Sequence, residues 1–375
     1  MINRYYKNLD QYLTPGKVLA IFGARRVGKT TLIQDFLKNY PGKYKLDSGD
    51  NIKLQSELGS LDFASVLEYA KGFDLIAIDE AQNIPNIGKA LKIMVDHLPH
   101  LRILVTGSSS FELAGQVGEP LTGRKRVIKL FPVSLLELRE RHTAYEIKDM
   151  LSELLVYGSY PSVITASSIR EKRELLQEIT DSYLLKDILE LEQVKGAKVL
   201  LDLLRLVAFQ VGSDVSTTEL SSKLGINYKT VMRYLDLFEK SFVLFNLRGY
   251  SRNLRKEITK KSKYFFYDVG IRNALIGNFN KLDNRNDIGQ LWENFAIMER
   301  IKKQSYLPIY ANNFFWRTWD QQELDWVEER EGKLFGYEIK WNDKKQPSAP
   351  RDWIGTYPEA EYKVISKKSL LSFVV

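Results

Sequence analysis

The chain has 375 residues, of which 44% are hydrophobic and 12% aromatic, enough for a well-packed protein of roughly two to four domains. It has no cysteine and 3 histidines, which excludes disulfides, cysteine-based zinc sites and a histidine-rich metal centre. A formal charge of +8 fits a polyanion partner without requiring one, and the absence of an apolar run of about 18 residues or of a secretory core in Met1–Lys7 sets the expectation of a cytoplasmic protein with no membrane partner.

The first third alternates two hydrophobic periods. Val18 to Phe22, Leu75 to Ile78 and Leu101 to Val105 are short apolar runs, expected to be buried parallel strands. Thr30 to Asn39 and Lys89 to Leu98 have helical spacing between them. This alternation predicts an α/β domain with a parallel sheet. From about Leu135 the pattern turns helical, with long segments at Ile169–Leu191 and Val199–Val211. A hydroxyl cap before an acidic turn opens a helix at Ser216, Gly225 breaks it, and Tyr228 to Glu239 resumes one. Strand-like and basic residues fill Phe242 to Tyr267, and the last part opens on a helix and then becomes rich in aromatic strands.

Gly23, Ala24, Arg25, Arg26, Val27, Gly28, Lys29 and Thr30 fit G-x-x-x-x-G-K-[ST] between an expected strand and an expected helix, with Thr31 next in line. Such a loop wraps phosphates with backbone N–H groups, and the helix N-terminus adds its positive dipole end. Lys29 would neutralise the outer phosphates and Thr30 would ligate Mg²⁺. A chance match in a glycine turn is the competing reading, and the flanking elements argue against it. Leu75-Ile76-Ala77-Ile78-Asp79-Glu80 supplies the partner: Asp79 to hold Mg²⁺, Glu80 to orient and deprotonate the attacking water. Thr106 or Ser108, at the end of the third strand, is a candidate γ-phosphate sensor beside the alternative of a plain turn. Arg124 is a candidate arginine finger, in cis or on a neighbouring subunit, beside the equal alternative of a basic surface loop. ATP or ADP with Mg²⁺ are the expected cofactors.

With "GARRVGKTTL", "LIAIDEAQNI", "LVTGSSS" and "LTGRKRVIKLFPVSLLE", the chain resembles a bacterial and archaeal group of AAA-type ATPases related to STAND ATPases. The likeness continues through "YGSYP", "SYLLKDI", "KYFFYDVGIRNAL" and "LWENF". It implies that a winged helix and a restriction-endonuclease-like domain follow the ATPase.

Thr217–Leu224 and Tyr228–Glu239 have helix-turn-helix spacing. Tyr228, Lys229, Thr230, Arg233 and Tyr234 are candidate groove and phosphate contacts, with Val231, Leu235 and Phe238 as the buried face. Arg248, Arg252, Arg255, Lys256, Lys260, Lys261 and Lys263 crowd the next segment, as a wing lying on DNA phosphates would require. A packing module with a solvated charge run is the alternative. Asp268 is expected to hold the turn into the next helix.

In the tail, Glu293 falls on a helix, Asp325 on a strand, and Glu338 with Lys340 on the strand returning from a turn at Glu331-Gly332-Lys333. That order matches the PD-(D/E)xK nuclease set. Asp325 and Glu338 would converge on a divalent cation, Glu293 would complete or tune the site, and Lys340 would stabilise the developing negative charge. A solvated ion pair on a strand is the alternative for Glu338 and Lys340.

The expected architecture is a P-loop ATPase domain at 1–135, a helical linker at 136–205, a winged helix at 206–285 and a nuclease-like α/β domain at 286–375. The expected function is an ATPase that couples nucleotide state to a DNA-contacting module. An ATP-gated Mg²⁺-dependent nuclease and a non-catalytic STAND-type switch or scaffold, self-associating or bound to protein, remain as alternatives.

Overall fold

The computed structural model describes residues 2–108, 121–183, 197–250, 262–344 and 346–375, and the chain divides into two compact units. Of the described residues, 2–108, 121–131 and 240–242 form the first and the remainder the second.

The first unit is built on a five-stranded, all-parallel sheet. Its strands are β1 (Val18–Phe22), β2 (Tyr44–Ser48), β3 (Leu75–Asp79), β4 (Arg102–Gly107) and β5 (Lys125–Lys129), in the order β2-β3-β4-β1-β5. Helices α1 (Lys29–Leu37), α2 (Ile52–Gly59), α3 (Phe63–Ala70) and α4 (Ile87–His97) accompany it. The central strands β1, β3 and β4 are the three apolar runs of the sequence, and every residue of β1 is buried. Removing each such Ile or Leu from water is worth about 2 kcal/mol. Strands β2 and β5 escaped the sequence reading because they lie at the edges, where "YKLDS" and "KRVIK" leave one side to solvent. The order places β4 between β1 and β3. The loop after β1 and the acids after β3 therefore straddle the end of β4.

The second unit contains a seven-stranded mixed sheet of β6 (Asp214–Val215), β7 (Leu244–Gly249), β8 (Ser262–Phe266), β9 (Asn312–Arg317), β10 (Glu323–Arg330), β11 (Lys333–Ile339) and β12 (Glu361–Ile365). The order is β12-β11-β10-β9-β7-β8-β6. Glu331 and Gly332, both at positive φ, make the turn between β10 and β11; Lys333, expected within it, already pairs with Arg330. The parallel β11–β12 pair is joined by a crossover carrying the helix Arg351–Thr356.

The anticipated boundary at 285/286 falls within this unit. Strand β7 pairs in parallel with β9 at Arg248↔Phe314 and Gly249↔Phe315, and the Tyr250 N–H donates to Phe315 O at 2.7 Å. The segments assigned to a wing and to a nuclease-like domain thus share one sheet. Hydrophobic period reports which face of a strand is buried, but not which distant strand lies beside it.

Helices Thr217–Leu224 and Tyr228–Lys240 occur where the sequence put them, and Val231, Leu235 and Phe238 form the buried face. The expected helix 169–191 is interrupted: Ile169–Glu178 is α-helical, a π turn follows at Ile179–Tyr183, and 184–196 lie outside the described residues. Asp268 caps the helix Val269–Leu275 through the N–H groups of Gly270 and Ile271 and also accepts from Ser159 N at 2.7 Å. Gly158 sits at φ +73°, and a Cβ there would fall 2.0 Å from the Asp268 carboxylate, so "YGSYP" and "DVG" interlock. In the helix Ile288–Tyr306, Asn294 clamps β8 by accepting from Phe266 N and donating to Phe266 O. No helix among the described residues is long and apolar enough to cross a membrane.

Candidate functional site

The loop between β1 and α1 is held open by two glycines. A Cβ on Gly23 would lie 2.1 Å from Leu130 O, and Gly28 adopts φ +99° at the N-cap of α1. Arg26 also has positive φ, which gives the loop its sharp reversal. Lys29, 4% exposed, donates from Nζ to Gly23 O at 2.9 Å and Ala24 O at 3.1 Å, so its ammonium lies across the loop. Thr30 and Thr31 follow on the first turn of α1.

Asp79 ends β3 and accepts from the Thr30 hydroxyl at 2.6 Å. Its other oxygen accepts from Thr106 Oγ1, and that hydroxyl accepts from the Glu80 N–H at 3.0 Å. Thr106 reaches this position because β4 lies between β1 and β3. Of the two candidate hydroxyls, Thr106 is the one hydrogen-bonded to Asp79, while Ser108 is buried two residues further on. Glu80 takes a left-handed backbone, and Oε2 accepts from Gln82 Nε2 at 2.6 Å. One hydroxyl and one carboxylate beside a phosphate-wrapping loop are a suitable donor set for Mg²⁺, which takes one or two protein oxygens and completes its shell with phosphate and water.

Arg124 does not join this group. It precedes β5, its carbonyl accepts from Val18 N at the start of β1, and its guanidinium pairs with Asp96 at 2.7 Å. The loop leaves the opposite end of β1, and five residues of strand span about 16 Å. A role for Arg124 within its own chain's site is thereby corrected. Sequence reading also missed Arg4, Gly49 and Gln82. Gly49 N donates to Asp79 O at 2.7 Å and locks the end of β2 to the acidic turn.

In the second unit the four tail residues converge. The β10–β11 register brings Asp325 opposite Glu338, and Asp325 Oδ2 accepts from Ile339 N at 2.7 Å. Lys340 Nζ lies 2.5 Å from Glu338 and 3.8 Å from Asp325. A bulge places Asp325 and Trp326 together against Phe315 and re-aims the acid. Glu293 closes the group from its helix.

Lys263 is the unforeseen member. Expected on DNA phosphates, it is 3% exposed, paired with Glu323 and 3.9 Å from Glu293. Burial raises Glu293 well above the usual carboxylate range, with the Asp325 charge adding to it. Burial likewise raises Asp325 and Glu338. Burial alone would depress Lys263, but Glu293 and Glu323 outweigh it and the net direction is up. Four carboxylates therefore share two ammonium groups. Among the described residues no group of three or more acids or histidines is arranged to hold a metal. The ammonium groups of Lys263 and Lys340 lie between these acids.

On the helix Tyr228–Lys240, Tyr228, Lys229 and Arg233 are exposed, whereas Tyr234, a candidate groove contact, is 6% exposed and belongs to the core. Arg248 is exposed; Arg252, Arg255, Lys256, Lys260 and Lys261 lie outside the described residues.

Residues 15–139 match the AAA domain family. Residues 148–282 and 288–372 match two families described as domains of unknown function, DUF8612 and DUF4143. An uncharacterized protein of Mycobacterium tuberculosis is 26% identical over 88% of this chain and 72% of its own length. One from Haemophilus influenzae is 27% identical over 90% and 86%. The Walker-type ATPase PABY2304 of Pyrococcus abyssi aligns at 17% identity over 69% of this chain and 90% of its own, with a TM-score of 0.44. The loop, the acidic strand end and the AAA match fall on the same residues, so the first unit is a parallel-sheet P-loop NTPase domain of α/β fold, similar there to the AAA domain family.

Proposed function

We propose that the first unit binds and hydrolyses ATP, and that nucleotide state governs a DNA-contacting second unit. The observation that carries the ATPase reading is the 2.6 Å contact of Thr30 with Asp79 beside Lys29, with Glu80 one residue on. The loop amides and Lys29 bind and orient the phosphates. Bound Mg²⁺, held by Thr30 and Asp79, would neutralise phosphate charge. Glu80 orients a water and takes its proton, while one Thr106 hydroxyl holds the Asp79 carboxylate and the Glu80 backbone N–H. In Lys29→Ala and Glu80→Gln, ATP turnover is expected to fall at least a hundredfold, measured as phosphate release. Turnover that persists in both variants sinks this reading.

The exposed Tyr228, Lys229, Arg233 and Arg248 and the net charge of +8 support DNA contact. A salt-dependent mobility shift and DNA-stimulated turnover test it. Tightly retained ADP, very slow turnover and no DNA affinity would indicate a nucleotide switch instead.

The convergence of Asp325, Glu338 and Lys340, in a helix–β9–β10–β11–helix–β12 arrangement, favours a second reading: a PD-(D/E)xK-like module that cleaves DNA with Mg²⁺. Cleavage lost in Asp325→Ala and Lys340→Ala, with ATP turnover intact, supports it. Uncut linear, branched and single-stranded DNA with Mg²⁺ or Mn²⁺ excludes it for those substrates.

A further inference from the structure

Arg4 lies in the segment before β1, outside every motif, and is 8% exposed. Its Nη1 donates to Val27 O and its Nη2 to Phe131 O, the latter at 2.6 Å. The first acceptor belongs to the phosphate loop. The second belongs to the segment on which that loop rests: Leu130 N donates to Phe22 O at 2.7 Å, and Leu130 O is the atom that a Cβ on Gly23 would strike. One guanidinium therefore holds the loop and its floor together. Its planar fork suits two acceptors at a fixed angle, which a single ammonium cannot reproduce.

The consequence lies in the peptide that follows. In a trans peptide the carbonyl of one residue and the N–H of the next point in opposite directions. Drawing Val27 O towards Arg4 therefore turns the Gly28 N–H away from it. Gly28 at φ +99° tolerates either orientation of this peptide, and glycine itself imposes no choice between them. A Cβ at Gly28 would also lie only 3.4 Å from Arg4 Nη1. Successive amides around residues of left-handed conformation make an anion-binding concavity only when all of them face inward.

Given the ATPase reading above, we propose that Arg4 is a positioning residue for phosphate binding. It acts through the Val27–Gly28 peptide, aiming the Gly28 N–H at the phosphates, and makes the segment before β1 part of the nucleotide site.

The experiment measures MgATP and MgADP affinity, KM, kcat and the thermal midpoint for the wild-type chain, Arg4→Ala, Arg4→Lys and Lys29→Ala. Arg4→Ala is expected to weaken ATP and ADP binding tenfold or more, with KM rising more than kcat falls. Arg4→Lys, which keeps one donor, is expected to fall between wild type and Arg4→Ala. ATP affinity in Arg4→Ala within twofold of wild type overturns the proposal, whatever the shift in midpoint. Where Arg4→Ala does not fold, the same result in folded Arg4→Lys overturns it. If the wild-type chain binds no ATP, both readings fall. If wild type binds ATP, Lys29→Ala does not, and Arg4→Ala binds as wild type, only the role of Arg4 falls.

Discussion

The two clusters of acids in this protein are neutralised in different ways. In the first unit the Asp79 oxygens accept from two hydroxyls, Thr30 and Thr106, and Lys29 reaches backbone carbonyls. Hydroxyls satisfy the lone pairs of a carboxylate without cancelling its charge, so the site keeps a negative charge to offer to a cation. In the second unit, Glu293, Glu323, Asp325 and Glu338 are interleaved with Lys263 and Lys340. There two ammonium groups stand against four carboxylates, so part of the balancing charge comes from the protein itself. Acids at strand ends look alike in sequence, but the groups beside them differ: hydroxyls at Asp79, and ammonium groups that offset part of the charge in the second unit.

This contrast is broken most sharply at Lys263. Lys263→Met removes one partner of a buried ion pair and is expected to cost about 3–5 kcal/mol. All six tryptophans lie between Trp292 and Trp353, so denaturant unfolding followed by tryptophan fluorescence reports on the second unit alone. If that transition does not move, Lys263 is not the counter-ion described above. Adding Glu293→Gln to Lys263→Met is expected to restore part of the loss.

The pH dependence sharpens the same contrast. Burial raises Glu293, Asp325 and Glu338 above their unfolded values, so the folded state keeps protons that the unfolded chain has released. The contribution of these groups is present in full below their ordinary values, 4.5 for the two glutamates and 3.8 for Asp325. It is lost as pH rises from there through the folded values. The tryptophan-monitored transition of the second unit is expected to shift to lower denaturant over that window. Glu293→Gln is expected to flatten the dependence, and an unchanged slope in this variant contradicts the assignment.

The smallest effect is expected at Arg124. Its pair with Asp96 is substantially exposed, so Arg124→Ala is expected to change stability by less than about 1 kcal/mol. At dilute protein concentration its ATP turnover is expected to match wild type, because the guanidinium lies at the far end of the sheet from Lys29. A hundredfold loss under those conditions would contradict the placement.

Much of the candidate nucleotide site was legible in the sequence because its parts are local. Eight consecutive residues make the loop, and one apolar strand delivers Asp79 and Glu80 together. The buried strands β1, β3 and β4 were legible because both of their faces are covered. Asp325, Glu338 and Lys340 were legible through strand alternation and one short turn.

Tertiary structure alone decided the remainder. The insertion of β4 between β1 and β3 set Thr106 beside Asp79, opposite Thr30, and the β7–β9 pairing put strands from two expected domains in one sheet. Lys263 and Arg4 show the physical reason. A cation in the sequence carries no mark of whether it will meet solvent, phosphate, an acid or a carbonyl. Its role follows from the groups that distant segments bring beside it, here Glu293 and Glu323 for Lys263, and Val27 and Phe131 for Arg4.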